Sequence, residues 1–278
     1  MSGTLYLCAT PIGNMNDMTF RAVEVLKNAD LIAAEDTRNS RKILEHFNIK
    51  TPMTSYHEHN KYEKADTLIG MMIQGKDIAL VTDAGTPAIS DPGEVLVRRC
   101  HEEGIAVTSL PGACACITAL TLSGLPARRF VFEGFLPYDK KERKEVLESL
   151  RTEHRTIILY EAPHKLIKTL DDLYESLGDR QMTICRELTK KFETVIPTVL
   201  SEAILYYKDN EPKGEYVLVI TGRSADEIAA EQRTRWEDMS VDEHMEIYLA
   251  QGLEKKEAMK KVASDRGVSK RDIYRELL

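Results

Sequence analysis

Residues 78–93, IALVTDAGTPAISDPG, decide the fold class of this chain of 278 residues. The first four form a short, continuously apolar segment, which is typical of a strand buried on both faces of a sheet. Two prolines and two glycines then fix the path of a loop, and Asp91 before Pro92 has the pattern of a helix N-cap followed by proline at the first helical position. A strand, a loop and a helix in this order indicate an α/β unit. Because open α/β sheets bind ligands at the carboxyl ends of their strands, this loop is the strongest candidate binding segment.

Strand and helix patterns alternate on both sides of this segment. Further apolar runs predict strands at Leu5–Ala9, Leu31–Ala34 and Val107–Leu110. Apolar residues three or four apart predict helices at Phe20–Asn28, Ser40–Phe47 and Tyr62–Ile73. Thr37 has the position of an N-cap. Such alternation favours parallel strands with crossover helices, so residues 1–124 are predicted to form one α/β domain.

Residues 125–224 repeat the alternation and predict a second α/β domain. Its predicted strands are Phe130–Phe135, Thr156–Tyr160, Met182–Cys185, Thr194–Pro197 and Tyr216–Thr221. Its predicted helices are Lys140–Leu150, His164–Ser176 and Val199–Lys208. Residues 209–214 are typical of a loop before the last strand. Two such domains would place a ligand cleft between them.

The tail, residues 235–278, has a different, all-helical pattern. Helices are predicted at Val241–Gln251, Lys255–Ser264 and Lys270–Leu278, and Ser269 is a candidate cap for the last. The spacing is that of a helix-turn-helix, and residues 255–275 hold eight basic and three acidic residues. These features favour nucleic-acid contact over a merely solvated helical face. The candidate RNA-binding residues are Lys255, Lys256, Lys260, Lys261, Lys270 and Arg271.

The overall charge points away from a protein that coats nucleic acid along its whole surface. Lys and Arg total 38 against 45 Asp and Glu, a net charge of −7. No apolar run reaches the roughly 18 residues of a membrane span, and the start of the chain lacks the pattern of a signal peptide. The five scattered cysteines suit reduced thiols, so a cytoplasmic protein is expected. Cys114 and Cys116 are predicted to be small buried residues and not zinc ligands.

Other predicted strand ends also carry small or polar residues. Residues 110–113, LPGA, let a backbone approach a ligand closely, while residues 9–14 lack the GxGxxG pattern of a site for NAD. In residues 34–38, AEDTR, either the two acids position a substrate or transfer a proton, or Asp36 and Thr37 cap the next helix while Glu35 and Arg38 form a surface pair. The sequence leaves both readings open. Residues 160–164 and 186–193 are polar strand ends of the second domain, and the two lysines of the latter fit an RNA backbone.

Eight runs stand in a fixed order between residues 9 and 220. They are ATPIGN (9–14), AEDTR (34–38), VTDAGTPAISDPG (81–93), LPGACA (110–115), FEGFLP (132–137), YEAPHKL (160–166), RELTKKFE (186–193) and KGEYVLVI (213–220). Together they resemble the tetrapyrrole-methylase (class III) superfamily of S-adenosylmethionine-dependent methyltransferases. Within it, they resemble most the branch that acts on ribosomal RNA, in which a helical tail is also present.

The resemblance implies two α/β domains with S-adenosylmethionine in the cleft between them, and a homodimer. It further implies methyl transfer to the ribose 2′-hydroxyl of a decoding-region cytidine in 16S rRNA of the 30S subunit. The implied cofactor-binding residues are Asp83, Ala84, Gly85, Thr86, Ile89, Pro111, Gly112 and Ala113, with Leu136, Arg186 and Gly214 from the second domain. For residues 9–14, contact with the substrate is favoured over contact with the cofactor.

A ribose hydroxyl is a poor nucleophile, so a base or a cation beside it should help the reaction. The candidate catalytic residues are Glu35, Asp36, Glu161, His164 and Lys190. No magnesium motif is visible, and no metal is expected to be required.

Two alternatives remain from the sequence. A methyltransferase for a small macrocycle such as a corrin precursor would use the same fold, but has no use for a basic helical tail. A regulator that binds nucleic acid without catalysis would use the tail, but has no need of the loops at 82–93 and 110–113.

Overall fold

The computed structural model describes residues 2–224, 227, 236 and 239–278. Its first sheet contains β1 (Thr4–Cys8), β2 (Leu31–Ala34), β3 (Met53–Ser55), β4 (Ile78–Val81) and β5 (Ala106–Leu110). All five strands are parallel, in the order β3-β2-β4-β1-β5. The four predicted strands are confirmed to within one residue at each end. The short edge strand β3 has no apolar run, and the sequence pattern misses it.

Five helices connect or follow these strands: α1 (Phe20–Asn28), α2 (Thr37–His46), α3 (Lys61–Ile73), α4 (Gly93–Glu102) and α5 (Ala115–Ser123). The prediction that Thr37 caps α2 is wrong by one residue, because the Asp36 carboxylate accepts the Arg38 N–H at 2.8 Å and Thr37 is already helical. At α4, Pro92 is the N-cap rather than the first helical residue. Asp91 still serves the helix start, since it accepts the Gly93 N–H at 2.8 Å.

The second sheet is mixed. It contains β6 (Phe130–Phe135), β7 (Thr156–Glu161), β8 (Gln181–Arg186), β9 (Thr194–Val199) and β10 (Tyr216–Ile220), in the order β6-β7-β10-β8-β9. β6 and β7 are parallel, β10 is antiparallel to β7 and β8, and β9 is antiparallel to β8. Its helices are α6 (Lys140–Arg151), α7 (Leu166–Leu177) and α8 (Leu200–Asp209). The carboxyl ends of β6, β7 and β8 therefore lie at the same end of the sheet as the amino ends of β9 and β10.

Helix α5 brings the two sheets together within one compact unit, residues 2–150 and 156–221. It leaves the first sheet after β5 and buries Cys116, Ala119 and Leu120 against residues of the second sheet such as Ile158 and Val219. Full burial of such side chains stabilises the unit by roughly 1.5–3 kcal/mol for each large one. The same apolar cluster includes Ile12 and Leu188, which lie in the loops after β1 and β8. Loops from both sheets therefore lie close together.

The described residues of 222–278, with 151–155, form a second compact unit. It contains α9 (Val241–Ala250), α10 (Lys255–Arg266) and α11 (Lys270–Glu276) around a small apolar core. The predicted helices are confirmed, with ends that differ by up to two residues. Ser269 caps α11 in a capping box with Asp272, as predicted. Among the residues with described positions, no helix is long and apolar enough to cross a membrane.

Candidate functional site

Three loops of the first sheet meet where its strand order reverses, at the ends of β1 and β4. Thr10 and Gly85 exchange backbone hydrogen bonds of 2.8 and 3.0 Å, which pairs the loop after β1 with the loop after β4. The Thr86 hydroxyl donates to the Ala113 carbonyl at 3.0 Å and ties the loop after β5 to the same place. Because ligands of open α/β sheets bind at such a switch point, these loops form the first wall of a candidate site.

The loop after β4 is held in a strained conformation. Ala88 has a φ of 68°, a left-handed conformation that is uncommon for a residue other than glycine. The Asp91 carboxylate holds this turn, accepting the Ala88 N–H at 2.9 and 3.0 Å as well as the N–H of Gly93. A Cβ on Gly93 would lie only 2.7 Å from Asp91 Oδ1, so glycine is needed here. Strain of this kind clusters at ligand sites.

A cavity of about 560 Å³ lies between these loops and the edge of the second sheet. That volume is in the range of small-molecule sites. Residues of the first sheet's loops line one side: Ile12, Glu35, residues 82–86, Ile89, Ser90, Asp91, Cys114 and Ala115. Residues of the second sheet line the other: Phe135, residues 160–163, Leu188 and residues 215–217.

The electrostatic character of the cavity is negative. Its described lining includes no lysine or arginine but five carboxylates, those of Glu35, Asp83, Asp91, Glu161 and Glu215. Burial and the nearby charge of Glu35 raise the pKa of Asp83 above its ordinary value. Burial also raises the pKa of Asp91, against the opposing effect of its backbone N–H partners. A negative field in a partly enclosed space suits a cationic ligand.

The two oxygens of Glu35 differ in their partners. Oε2 accepts the Thr82 hydroxyl at 2.6 Å and the Asp83 N–H at 3.3 Å. Oε1 has no hydrogen bond to any residue that the structure describes. A carboxylate that is fixed through one oxygen and free at the other has the arrangement of a general base.

Glu161, in contrast, uses both of its oxygens. Oε1 accepts the Ala162 N–H at 2.8 Å, and Oε2 accepts the Thr169 hydroxyl at 2.5 Å. The same hydroxyl accepts Nη2 of Arg143 at 2.8 Å, and Nε of Arg143 donates to Asp172 at 2.7 Å. These contacts run from α6 through α7 to the cavity wall. They hold both oxygens of Glu161 in hydrogen bonds at the cavity wall.

Two thiols lie 3.4 Å apart at the start of α5, Cys114 Sγ and Cys116 Sγ. The hydrogen bond between them lowers the pKa of the Cys114 thiol below its usual value and raises that of Cys116. Cys116 is buried, as predicted, and its backbone N–H donates to the Tyr160 hydroxyl at 3.1 Å. The prediction is wrong for Cys114, which is only half-buried because it faces the cavity.

The sequence matches the family model described as Tetrapyrrole (Corrin/Porphyrin) Methylases over residues 4–204. The chain belongs to the tetrapyrrole methylase family. It is 52% identical over 272 residues to a ribosomal RNA small subunit methyltransferase I of Halalkalibacterium halodurans, which covers 98% of this chain and 93% of that protein. The protein of the same name from Bacillus subtilis is 48% identical over the same shares. A solved uroporphyrin-III C-methyltransferase from Thermus thermophilus, complexed with S-adenyl homocysteine, has the same fold, with a TM-score of 0.55, 17% identity and coverage of 78% of this chain and 97% of that one.

In this methylase, the predicted cofactor residues of the loop after β4 all line the cavity. They are Asp83, Ala84, Gly85, Thr86 and Ile89. Pro111, Gly112 and Ala113 stand just before the lining residues Cys114 and Ala115. Gly112 packs so closely that a Cβ there would lie 2.6 Å from the Cβ of Ala9, which gives this glycine a structural role.

The predicted cofactor residues of the second sheet lie outside the lining. Leu136 is buried in the core of that sheet, and its neighbour Phe135 faces the cavity instead. Gly214 precedes the lining residue Glu215. Arg186 ends β8, and its Nε is buried with no hydrogen-bond partner in the described part of the chain. The cofactor roles of all these residues stay predictions.

Of the five candidate catalytic residues, Glu35 and Glu161 line the cavity. Asp36 caps α2 and pairs with Arg38 at 2.7 Å, and hydrogen bonds from Arg38 lower the pKa of Asp36 to about 2. The capping interpretation is confirmed for Asp36, but the predicted surface pair is wrong, because Arg38 pairs with Asp36 and not with Glu35. His164 is exposed beyond the wall residues.

Lys190 is the fifth candidate, and its ammonium group pairs with two carboxylates. Its Nζ donates to Glu187 at 2.8 Å and to Glu215 at 2.9 Å. Burial lowers the pKa of Lys190, but these two carboxylates raise it by more, so the pKa lies above its ordinary value. A lysine held this way organises the cavity rim. Its catalytic role stays a prediction, as do those of the other four.

The sequence reasoning missed lining residues of two kinds. Cys114 and Ala115 follow a predicted strand, so their position was a usable signal. Tyr216 and Val217 begin β10, and only the antiparallel pairing of that strand brings its start to the same edge as the ends of β7 and β8. No local pattern contains that information.

The six candidate RNA-binding residues of the tail are all exposed on α10 and α11. Arg266, another basic residue of this stretch, is different. Its guanidinium donates to the Met239 carbonyl and to Nδ1 of His244, so it supports the fold of the tail. RNA contact by the six exposed residues stays a prediction.

Proposed function

We propose that this chain transfers a methyl group from S-adenosylmethionine to the ribose 2′-hydroxyl of a decoding-region cytidine in 16S rRNA. The observation that carries the proposal is the carboxylate-lined cavity at the joined edges of the two sheets. S-adenosylmethionine carries a sulfonium cation, and the cavity matches that charge and is large enough for a ligand of this size. Supporting it, relatives 48–52% identical over nearly the full chain are named for methylation of small-subunit ribosomal RNA.

The cofactor is proposed to lie against the loop after β4. S-adenyl homocysteine, bound in the solved Thermus thermophilus methyltransferase, is what S-adenosylmethionine becomes when it gives up its methyl group. The carboxylates of Asp83 and Glu35 would face the cationic donor, and the half-exposed Ile89 and Phe135 would cover its apolar parts. No metal is part of the proposal.

The chemistry requires alignment and exclusion of water. The sulfonium carbon is already electrophilic, so the chain must hold the 2′-oxygen in line behind the methyl group. Such alignment lowers barriers by roughly 7–11 kcal/mol in favourable cases. We propose Glu35 as the base that takes the hydroxyl proton, because no residue with a described position donates a hydrogen bond to its Oε1.

Neutralising Asp83 should have opposite effects on the empty protein and on cofactor binding. Because its folded pKa is raised, the ionised carboxylate costs stability as the pH rises through that value, and Asp83→Asn should raise the melting temperature at about pH 8 but not near pH 4. The same change should weaken S-adenosylmethionine binding by about tenfold, and S-adenosylhomocysteine binding less, because only the former carries the sulfonium charge. Thermal unfolding and titration calorimetry measure both.

The matched control is Asp171→Asn, which removes an exposed carboxylate from α7. It should change neither quantity. Equal affinity of Asp83→Asn and the unaltered chain for S-adenosylmethionine would remove Asp83 from the cofactor site.

The basic face of the tail is proposed to hold the ribosomal substrate. Charge reversal at Lys260, Lys261, Lys270 and Arg271 should raise the KM for small subunits, with little change in kcat, and should flatten the dependence of RNA binding on salt. Steady-state kinetics at two salt concentrations measures this. A tail variant with an unchanged KM would leave the tail another role, such as formation of the homodimer, which also stays a prediction.

The substrate class is tested by methyl transfer itself. The purified chain, tritiated S-adenosylmethionine and small subunits that lack the modification should give label in the RNA, and naked rRNA in place of subunits shows which form is accepted. A corrin precursor is the control acceptor, because the matching family model is named for tetrapyrrole methylation. Label in the macrocycle and none in RNA would contradict the proposed RNA substrate and support a small-macrocycle substrate. Such an RNA enzyme would act in the cytoplasm.

A further inference from the structure

One edge of the second sheet carries three exposed aromatic side chains beside the cavity. Phe135, Tyr138 and Phe192 are 52%, 83% and 65% exposed. Phe135 ends β6 and lines the cavity, Tyr138 lies in the loop after β6, and Phe192 lies in the loop between β8 and β9. All three therefore stand at the edge where the carboxyl ends of β6, β7 and β8 meet. Exposed aromatic side chains on loops beside a ligand cavity are candidates for a binding surface.

Tyr138 is paired with a lysine. The Nζ of Lys165, from the loop after β7, lies 3.1 Å from the centroid of the Tyr138 ring. Cation and ring belong to loops that follow neighbouring strands, so the pairing holds both loops. The ring keeps most of its surface in solvent.

Phe192 has the same arrangement on the other side of the cavity. Lys191 Nζ lies 5.6 Å from the centroid of its ring. Unlike Lys190, whose ammonium is taken up by two carboxylates, Lys191 is exposed. An aromatic ring and a solvent-facing cation thus project together at this end of the edge as well.

The loop that carries Phe192 is rigidly built. Glu187 and Thr189 both have positive φ values, 52° and 64°, and neither is glycine. The Thr189 N–H donates to the Glu193 carboxylate at 2.6 Å, and Lys190 holds Glu187. Strain held by so many contacts fixes where the loop tip points. These contacts hold Phe192 at a position where its ring faces solvent.

The two aromatic–lysine pairs flank the cavity. In the order β6-β7-β10-β8-β9, one pair follows β6 and β7 and the other follows β8, with the start of β10 in the cavity wall between them. At about 4.8 Å per strand, β6 and β8 are roughly 15 Å apart. Rings that stack on bases and lysines that contact phosphates are how proteins hold single-stranded nucleic acid. Paired bases in a duplex do not expose their faces to such rings.

We infer that the Tyr138–Lys165 and Phe192–Lys191 pairs form a rim that stacks unpaired bases of single-stranded RNA on either side of the nucleotide entering the cavity. The inference rests on the proposed function and deepens it, because it assigns the conformation of the RNA and a contact surface outside the tail. It accounts for two aromatic rings left in solvent at the ends of loops beside the cavity.

The test uses the full chain and a fluorescent single-stranded RNA of about a dozen nucleotides. Tyr138→Ala and Phe192→Ala should each raise its Kd by about tenfold and raise the KM for rRNA, with the Kd for S-adenosylmethionine unchanged. The conservative variants Tyr138→Phe and Phe192→Trp should keep wild-type affinity, since they keep a ring. Tyr174→Ala is the matched control, an exposed tyrosine near the end of α7 at the opposite edge of the sheet. It should have no effect.

Three results would overturn the rim. They are wild-type RNA affinity in both alanine variants, tighter binding of the duplex than of the single strand, or loss of self-association in the variants with RNA affinity intact, which would make the rim an interface between copies of this chain. Failure of the proposed function is distinguishable. A wild-type chain that binds the oligonucleotide through these rings but methylates no rRNA supports the rim and contradicts the proposed reaction.

Discussion

Glu35→Gln should lower the kcat of methyl transfer by 10²- to 10⁴-fold, the range of a lost general base. Glutamine keeps an oxygen that accepts the Thr82 hydroxyl, so the loop after β4 should keep its place. What is lost is the capacity of the free Oε1 to take a proton. Single-turnover rates with saturating cofactor and RNA measure the chemical step directly, and calorimetry should show cofactor affinity within a few-fold of the wild type.

Glu45→Gln is the matched control, because it neutralises an exposed glutamate on α2. Its kcat should equal that of the unaltered chain. A Glu35→Gln variant that retained more than a tenth of the wild-type rate would contradict Glu35 as the base. Partial recovery of the Glu35→Gln kcat at higher pH would support Glu35 as the base, because a more ionised ribose hydroxyl has less need of a base.

Arg143→Met should destabilise the compact unit by about 2–3 kcal/mol. The Arg143 side chain is 10% exposed and holds both Asp172 and Thr169. Removing one member of a buried ion pair costs about 3–5 kcal/mol. We expect a smaller cost because Asp172 keeps Lys168 at 2.9 Å. For a unit of this size, the melting temperature should fall by roughly 4–12 °C.

The double variant Arg143→Met with Asp172→Leu identifies the cause. If loss of the Arg143 partner of the partly buried Asp172 carboxylate is what destabilises the single variant, the double variant should recover part of the loss, since that carboxylate is then absent. Lys141→Met, on an exposed side chain of the same helix, should stay within about 0.5 kcal/mol. A single variant as stable as that control would show that the Arg143 contacts do not stabilise the fold.

The order of strands and helices could be predicted well because buried segments appear in the sequence as apolar runs or as apolar residues three or four apart. β2, β4 and β6 have the predicted bounds, and a charged residue precedes each of them. Strand β3 has no such pattern, because its three residues, Met53–Ser55, include only one apolar side chain and none of them is fully buried. Caps were predicted to within a residue, which is the scatter of helix ends in general.

The candidate site was predicted where it follows parallel strands and missed where it depends on pairing between distant segments. Asp83 to Thr86 come directly after β4, and a rule about strand ends finds them. The contribution of Tyr216 follows from the antiparallel direction of β10, which the run of apolar residues does not encode. The difference between Glu35 and Glu161 as candidate bases arises from hydrogen bonds to Thr82 and Thr169, and these exist only in the folded chain.

The measurement that tests the central claim most directly is the chemical identity of the methylated nucleotide. Small subunits from cells that lack this protein are treated with the purified chain and S-adenosylmethionine, and the RNA is digested to nucleosides and mapped by mass spectrometry. The account predicts one new 2′-O-methylcytidine in the decoding region of 16S rRNA, absent with Glu35→Gln. Methylation on a base, at another nucleotide type or only on a macrocycle would contradict it.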